Sequence, residues 1–125
     1  MSKQIIDPIK VEAITVTTDG SGNSAVKSAN IVNGEILKIA YDKGTVGAAT
    51  TVALTSYTPL VGTVREAIDS YNVNTASVNR YPYAAITGAV AGDNKWAKFA
   101  VNDYLLATVT SGDTSKTFTV YVFYR

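Results

Sequence analysis

The 125-residue chain contains no cysteine and no histidine, and its only methionine is Met1. Without thiolates or imidazoles, disulfide frameworks, cysteine nucleophiles, and most zinc, haem and iron–sulfur chemistry fall away together. A conventional enzyme is therefore not expected, nor a metal, a cofactor or a small-molecule substrate. An excess of one charge is missing too: eleven Lys and Arg stand against ten Asp and Glu, a net charge of +1. The basic residues are scattered singly among the acids, so no stripe can displace counterions from a phosphate backbone, and nucleic acid is not the expected partner. No apolar run is long enough to span a membrane, and the opening ten residues lack the apolar segment of a secretory signal, which predicts synthesis in the cytosol and no membrane partner.

Glu, Gln, Leu and Arg are sparse, whereas Val, Thr, Ile and Tyr are plentiful, a balance that favours strands over helices. A chain of this length buries roughly two-thirds of its unfolded surface and needs no covalent staple. Turn signals recur at Asp19-Gly-Ser-Gly-Asn23, Asn33-Gly34, Asp42-Lys-Gly44, Thr58-Pro59, Gly92-Asp93-Asn94 and Ser111-Gly-Asp-Thr114. The expectation is an all-β fold, a compact β-sandwich or small β-barrel of about eight short strands. Residues 10–125 form its single β-domain, and residues 1–9 form an N-terminal arm.

Strands are expected at about residues 10–18, 24–32, 35–42, 50–57, 84–91, 96–101, 104–110 and 116–124. The last two alternate cleanly and, joined by a polar turn, read as a C-terminal hairpin. The final one, Thr117-Phe-Thr-Val-Tyr-Val-Phe-Tyr124, is apolar on both faces, which predicts a central position or a second face covered by another chain. Leu37, Ile39 and Tyr41 should share a buried face, and the strand carrying them should hairpin back through Asn33-Gly34 on residues 24–32. Between Val11/Ala13 and Ile14/Val16 the apolar phase shifts, as one inserted bulge residue would cause. Residues 62–75 read equally as strand or as a short helix near residues 63–71. Val64, Ala67, Ile68 and Tyr71 fall at helical spacing, and Thr63 with Glu66 resembles a capping box. Gly44–Thr50 is small and polar enough for a mobile loop.

The carboxylates lie mostly in or beside turns, where solvated acids are the ordinary case, and no pair stands out for glycoside hydrolysis. Ser21 between two glycines has no His to activate it. Aromatic residues are the more informative group: Tyr71, Tyr81, Pro82, Tyr83 and Trp96 offer rigid contact area, although tyrosines that cap a core with wet hydroxyls need no such role. Ile5, Ile6 and Ile9 around Pro8 form an apolar arm that can pack on its own domain or reach a neighbour. The candidate partner contacts are Ile5, Ile6, Pro8, Tyr81, Pro82, Tyr83 and Trp96.

Several features together resemble small virion structural proteins of tailed bacteriophages, of the head decoration or capsid cement type. They are the Ile-containing arm, Asn33-Gly-Glu-Ile-Leu-Lys-Ile-Ala-Tyr41 with the Lys43–Thr51 loop after it, Asn79-Arg-Tyr-Pro-Tyr83, and the closing Thr117–Tyr124 strand. That resemblance implies a non-catalytic β-domain, often a homotrimer, that assembles in the host cytoplasm and binds the major capsid protein on the capsid exterior. The rival expectations are a tail or head–tail connector protein, and a carbohydrate-binding module that stacks sugars on Tyr71, Tyr83 and Trp96.

Overall fold

The structure is a computed structural model that describes residues 8–82, 84–85, 96–97 and 99–125. Its strands are β1 (Lys10–Thr17), β2 (Ser24–Lys27), β3 (Val32–Asp42), β4 (Thr51–Ser56), β5 (Ala67–Asn72), β6 (Val78–Arg80), β7 (Ala84–Ala85), β8 (Trp96–Ala97), β9 (Ala100–Asp103), β10 (Leu105–Val109) and β11 (Thr117–Tyr124). One sheet runs β1-β11-β3-β6, with β9 also pairing β3, and the other runs β2-β10-β4-β5. Every pairing is antiparallel, and β7 and β8 pair apart from both sheets. The all-β expectation holds as a sandwich; the sheets do not close into a barrel.

Alternation along β11 sets the core. Phe118, Val120, Val122 and Tyr124 point inward and are buried, with Ile14 and Val16 of β1 and Ile36, Ile39 and Tyr41 of β3 beside them. Facing them are Val52 and Leu54 of β4, Ile68 of β5, and Leu105, Ala107 and Val109 of β10. Burying a side chain of this size contributes about 1.5–3 kcal/mol, so the two inner faces hold the sheets together.

Three strand expectations change, each for a local reason. The C-terminal pair is not a hairpin: β10 lies between β2 and β4, while β11 lies between β1 and β3 in the opposite sheet. The turn residues between them therefore carry the chain across the sandwich, with Ser111 and Ser115 at positive φ. Asn33-Gly34 is not a turn either, because both residues sit inside β3 opposite Asn102 and Val101. Gly34, at a φ of 141°, lets the backbone pass against the Arg125 carbonyl, where a Cβ would collide. β1 has no bulge, since its register with β11 is unbroken from Lys10 to Thr17. Its apolar phase shifts because Glu12 occupies an inward position, buried and accepting a 3.2 Å hydrogen bond from Asn30 Nδ2.

The bulges lie elsewhere. In β3 the register slips at Leu37, between Ile36 opposite Tyr124 and Lys38 opposite Phe123. Ile36 and Ile39 both turn inward as a result, and Leu37 leaves the buried face expected for it. In β5 the slip falls at Ile68, and no helix forms near residues 63–71. Ile68 and Asp69 both aim inward there, while Val64 and Ala67 of the expected helical face are exposed. The expected strand over residues 84–91 falls mostly outside the described residues.

Turn carboxylates fasten the end of the sandwich where these crossings occur. Asp19 Oδ1 accepts the Ser21 and Asn23 amides at 2.8 and 2.9 Å. Asp113 Oδ2 accepts the Gly47 and Ala48 amides at 2.8 and 3.1 Å. With Val46 and Thr50 buried as well, residues 44–50 are anchored rather than a free loop. Gly22, at a φ of 76°, lets its turn lie directly on Gly112, whose amide donates to the Gly22 carbonyl at 2.8 Å.

The amides of Asn23 and Ser21 hold the Asp19 carboxyl below its ordinary value of 3.8, and the Gly47 amide does the same for Asp113. Because these folded-state values are depressed, the unfolded chain takes up protons first as pH falls. The associated stability is complete above about pH 4 and disappears as pH drops through the lower folded values. The thermal unfolding midpoint should stay level from pH 7 to about 5 and fall below about 4. Asp113→Asn should lower the midpoint at pH 7 and flatten the acid fall, as calorimetry across this range would show.

Candidate partner-binding surface

The outer face of the five-stranded sheet inherits the second apolar face of β11. Tyr121 and Phe123 point outward there and are only half-buried. Phe123 stands opposite Val11 on one side and Lys38 on the other. The Leu37 bulge adds its side chain to the same end of the sheet, and the chain leaving β6 adds Tyr81. Ile9, Val11, Leu37, Lys38, Tyr81 and Phe123 together line an open groove of about 440 Å³. Its apolar walls meet solvent: Ile9 is 57% exposed, Val11 50% and Tyr81 58%. Lys38 Nζ lies 4.5 Å from the centre of the Phe123 ring, a cation over an aromatic floor.

A second apolar feature projects from the other sheet. Between β4 and β5 the chain forms a finger, in which the Val64 amide donates to the Val61 carbonyl at 2.9 Å and the Leu60 amide to the Val64 carbonyl. Gly62 takes a φ of 58° and lets the chain reverse within four residues. Leu60, Val61 and Val64 are left 67%, 77% and 64% exposed at the tip. The base is braced: Asp103 Oδ2 accepts the Thr58 amide at 2.7 Å, and Arg65 Nε donates to the Tyr57 carbonyl at 2.8 Å. Burial alone would raise the Asp103 carboxyl, but the Thr58 and Tyr104 amides outweigh it and keep it below its ordinary value.

Beside the groove, a polar cluster closes the gap between β5 and β6. The bulge at Ile68 re-aims Asp69 into this gap, where it accepts the Tyr41 hydroxyl at 2.8 Å. Arg80 Nε and Nη2 donate to the same carboxylate at 2.8 and 3.0 Å, a bidentate pair. Burial, and then the charge of Asp69, push the Tyr41 phenol far above its usual range, so it remains a donor. The hydrogen bonds to Asp69 likewise raise Arg80. Tyr71 stacks on Tyr41 with ring centres 5.0 Å apart, and the Arg80 guanidinium lies 5.0 Å from its ring. Tyr71 is thus held half-buried between these groups rather than standing free on the surface.

Of the residues singled out by sequence, Tyr81 lines the groove and Pro82 a neighbouring hollow with Asp69, Asn79 and Arg80. Pro8 is exposed and leads into Ile9 at the groove. Ile5, Ile6 and Tyr83 lie outside the described residues, and of Trp96 only the strand backbone is described. Sequence reasoning missed Val11, Leu37 and Phe123 as surface, and the whole finger. The signal for the finger was present: Leu60-Val61 sits between Pro59 and Gly62, an apolar pair inside a turn, where exposure is the rule. Comparison of the chain with protein-family models, with curated proteins and with solved structures finds no match.

The cluster geometry ranks its members. Asp69→Ala strands both the Tyr41 hydroxyl and a partly buried guanidinium, and should destabilise by about 2–4 kcal/mol. Tyr41→Phe removes one donor and should cost about 1–2 kcal/mol. Urea unfolding of the two variants should reproduce that order.

Proposed function

We propose that the protein is a non-catalytic structural subunit that binds the outer surface of a phage-type capsid shell and stabilises it. The observation that carries this reading is the gathering of exposed apolar and aromatic side chains into one groove and one finger on a rigid sandwich. Surfaces of this kind mark contacts between proteins. The groove end of the five-stranded sheet, with Tyr81 and Pro82 at its rim and the Pro8 arm entering beside it, is the shell-facing edge in this reading. The resemblance of the chain to decoration proteins points the same way and adds a trimer, the major capsid protein as partner and the virion exterior as location.

The mechanism is thermodynamic. A subunit that binds the mature shell and not its dissociated parts stabilises the shell by mass action. Joined copies raise the effect, because the assembly leaves only when all its contacts release together. A net charge of +1 suits close packing of copies, since little repulsion accumulates between neighbours.

Mixed with purified mature shells, the protein should co-sediment and saturate at a fixed ratio to the shell subunit. Tyr81→Ser should weaken binding by roughly tenfold, the equivalent of about 1.4 kcal/mol, while leaving the thermal midpoint unchanged because Tyr81 is exposed. Unchanged sedimentation of the protein with and without shells would remove this reading.

A further inference from the structure

We infer that Asp69, Tyr41 and Tyr71 form a binding site for the guanidinium of an arginine side chain, which Arg80 fills in the chain alone and which a partner's arginine can take over. The receptor half is buried and fixed. The Asp69 side chain is 9% exposed and Tyr41 2%, and the Tyr41 hydroxyl donates to the carboxylate at 2.8 Å. Both come from strands secured by other neighbours: Tyr41 from β3, which β11 pairs, and Asp69 from β5, which β4 pairs.

The occupant is carried loosely. Arg80 ends β6, a three-residue strand at the edge of its sheet, and its side chain is 40% exposed. No residue from Asn74 to Asn79 is buried. Besides the pairing with β3, that stretch is fastened by the Tyr71 hydroxyl, which donates to the Ala76 carbonyl at 3.2 Å, and by Ser77 Oγ, which accepts the Lys43 amide at 3.1 Å. Ala40 and Tyr41 of β3, with Ser77, Val78 and Asn79, line a hollow of about 390 Å³ beside it. Few buried apolar contacts and exposed backbone hydrogen bonds make such a segment open before the rest of the sandwich does.

The chemistry of the site selects a guanidinium over an ammonium. Arg80 Nε and Nη2 meet the two carboxylate oxygens as a planar fork, and the same group lies 5.0 Å from the Tyr71 ring centre. Lysine supplies a point charge that cannot match both oxygens and the ring at once. When β6 lifts, Asp69 is left as a nearly buried charge without its cation, and a second guanidinium relieves that cost as well as the first. Exchange therefore releases β6, and Tyr81 with it. It does not depend on shell binding, and its test needs no shell.

The test uses the full chain with methylguanidinium chloride as the probe, and methylammonium chloride at the same concentration as the control for charge and salt. A probe this small should bind with a dissociation constant on the order of 10 mM, so at about 50 mM the form it binds gains about sixfold in population. Arg80→Ala should unfold at a lower temperature than the wild type. Methylguanidinium should raise that midpoint by the equivalent of about sixfold in the folding constant, and methylammonium should not. In the wild type the probe binds only the form with β6 lifted. Hydrogen exchange of the amides joining β3 and β6 should then quicken by about sixfold, while those joining β3 and β11 keep their rates. Where Arg80→Ala does not fold, the wild-type exchange decides alone. Absence of rescue in a folded Arg80→Ala, equal rescue by methylammonium, or rescue that persists when Asp69→Asn is added overturns the inference. So does wild-type β6 exchange that is indifferent to methylguanidinium.

Discussion

The architecture depends on β11 being apolar on both faces and hydrogen-bonded along both edges. Its inward residues Phe118, Val120 and Val122 anchor the core, and its outward Tyr121 and Phe123 turn the other side of the sheet into an apolar surface. A strand paired with β1 and β3 cannot also pair with β10, so the last connection has to cross between the sheets. That crossing is what the Asp19, Asp113 and Gly22 contacts fasten, with the Gly22 turn lying on the Gly112 turn.

Two bulges convert this regular frame into one with particular surfaces. The extra residue at Leu37 keeps Ile36 and Ile39 both in the core and releases Leu37 to the groove. The extra residue at Ile68 turns Asp69 inward, where one carboxylate joins β3, β5 and β6 through Tyr41 and Arg80. A buried charge is tolerable there because its lone pairs are met by a phenol and a bidentate guanidinium. The cluster thereby fixes the position of β6, from which Tyr81 enters the groove.

Legibility in the sequence followed burial period. Strand existence was plain wherever period-two alternation survived, as in Leu105–Val109 and Thr117–Tyr124, and the doubly apolar pattern of β11 allowed either the central place it takes or a second face covered by another chain. Pairing was not legible, because alternation records which face is buried and not which neighbour supplies the hydrogen bonds. Asn33-Gly34 misled for a related reason: its glycine serves close approach to the Arg125 carbonyl instead of a reversal. The buried Glu12 imitated a bulge where none exists, and the apolar spacing that suggested a helix counted Val64 and Ala67, which the fold leaves exposed. Of the candidate contacts, Tyr81 and Pro8 are exposed and Pro82 is half-buried beside them, whereas the groove needed β1, β3 and β11 to be brought side by side.

The groove and the finger give the proposed coat role a physical form, in which a rigid sandwich offers apolar contacts at two separate places and works through the number of its copies. The most direct measurement is the amount of this chain on virus particles from its source, purified on a density gradient and freed of tails, relative to the major shell protein. The account predicts a high and constant ratio that persists on tail-free heads. Absence of the chain from such heads would contradict it.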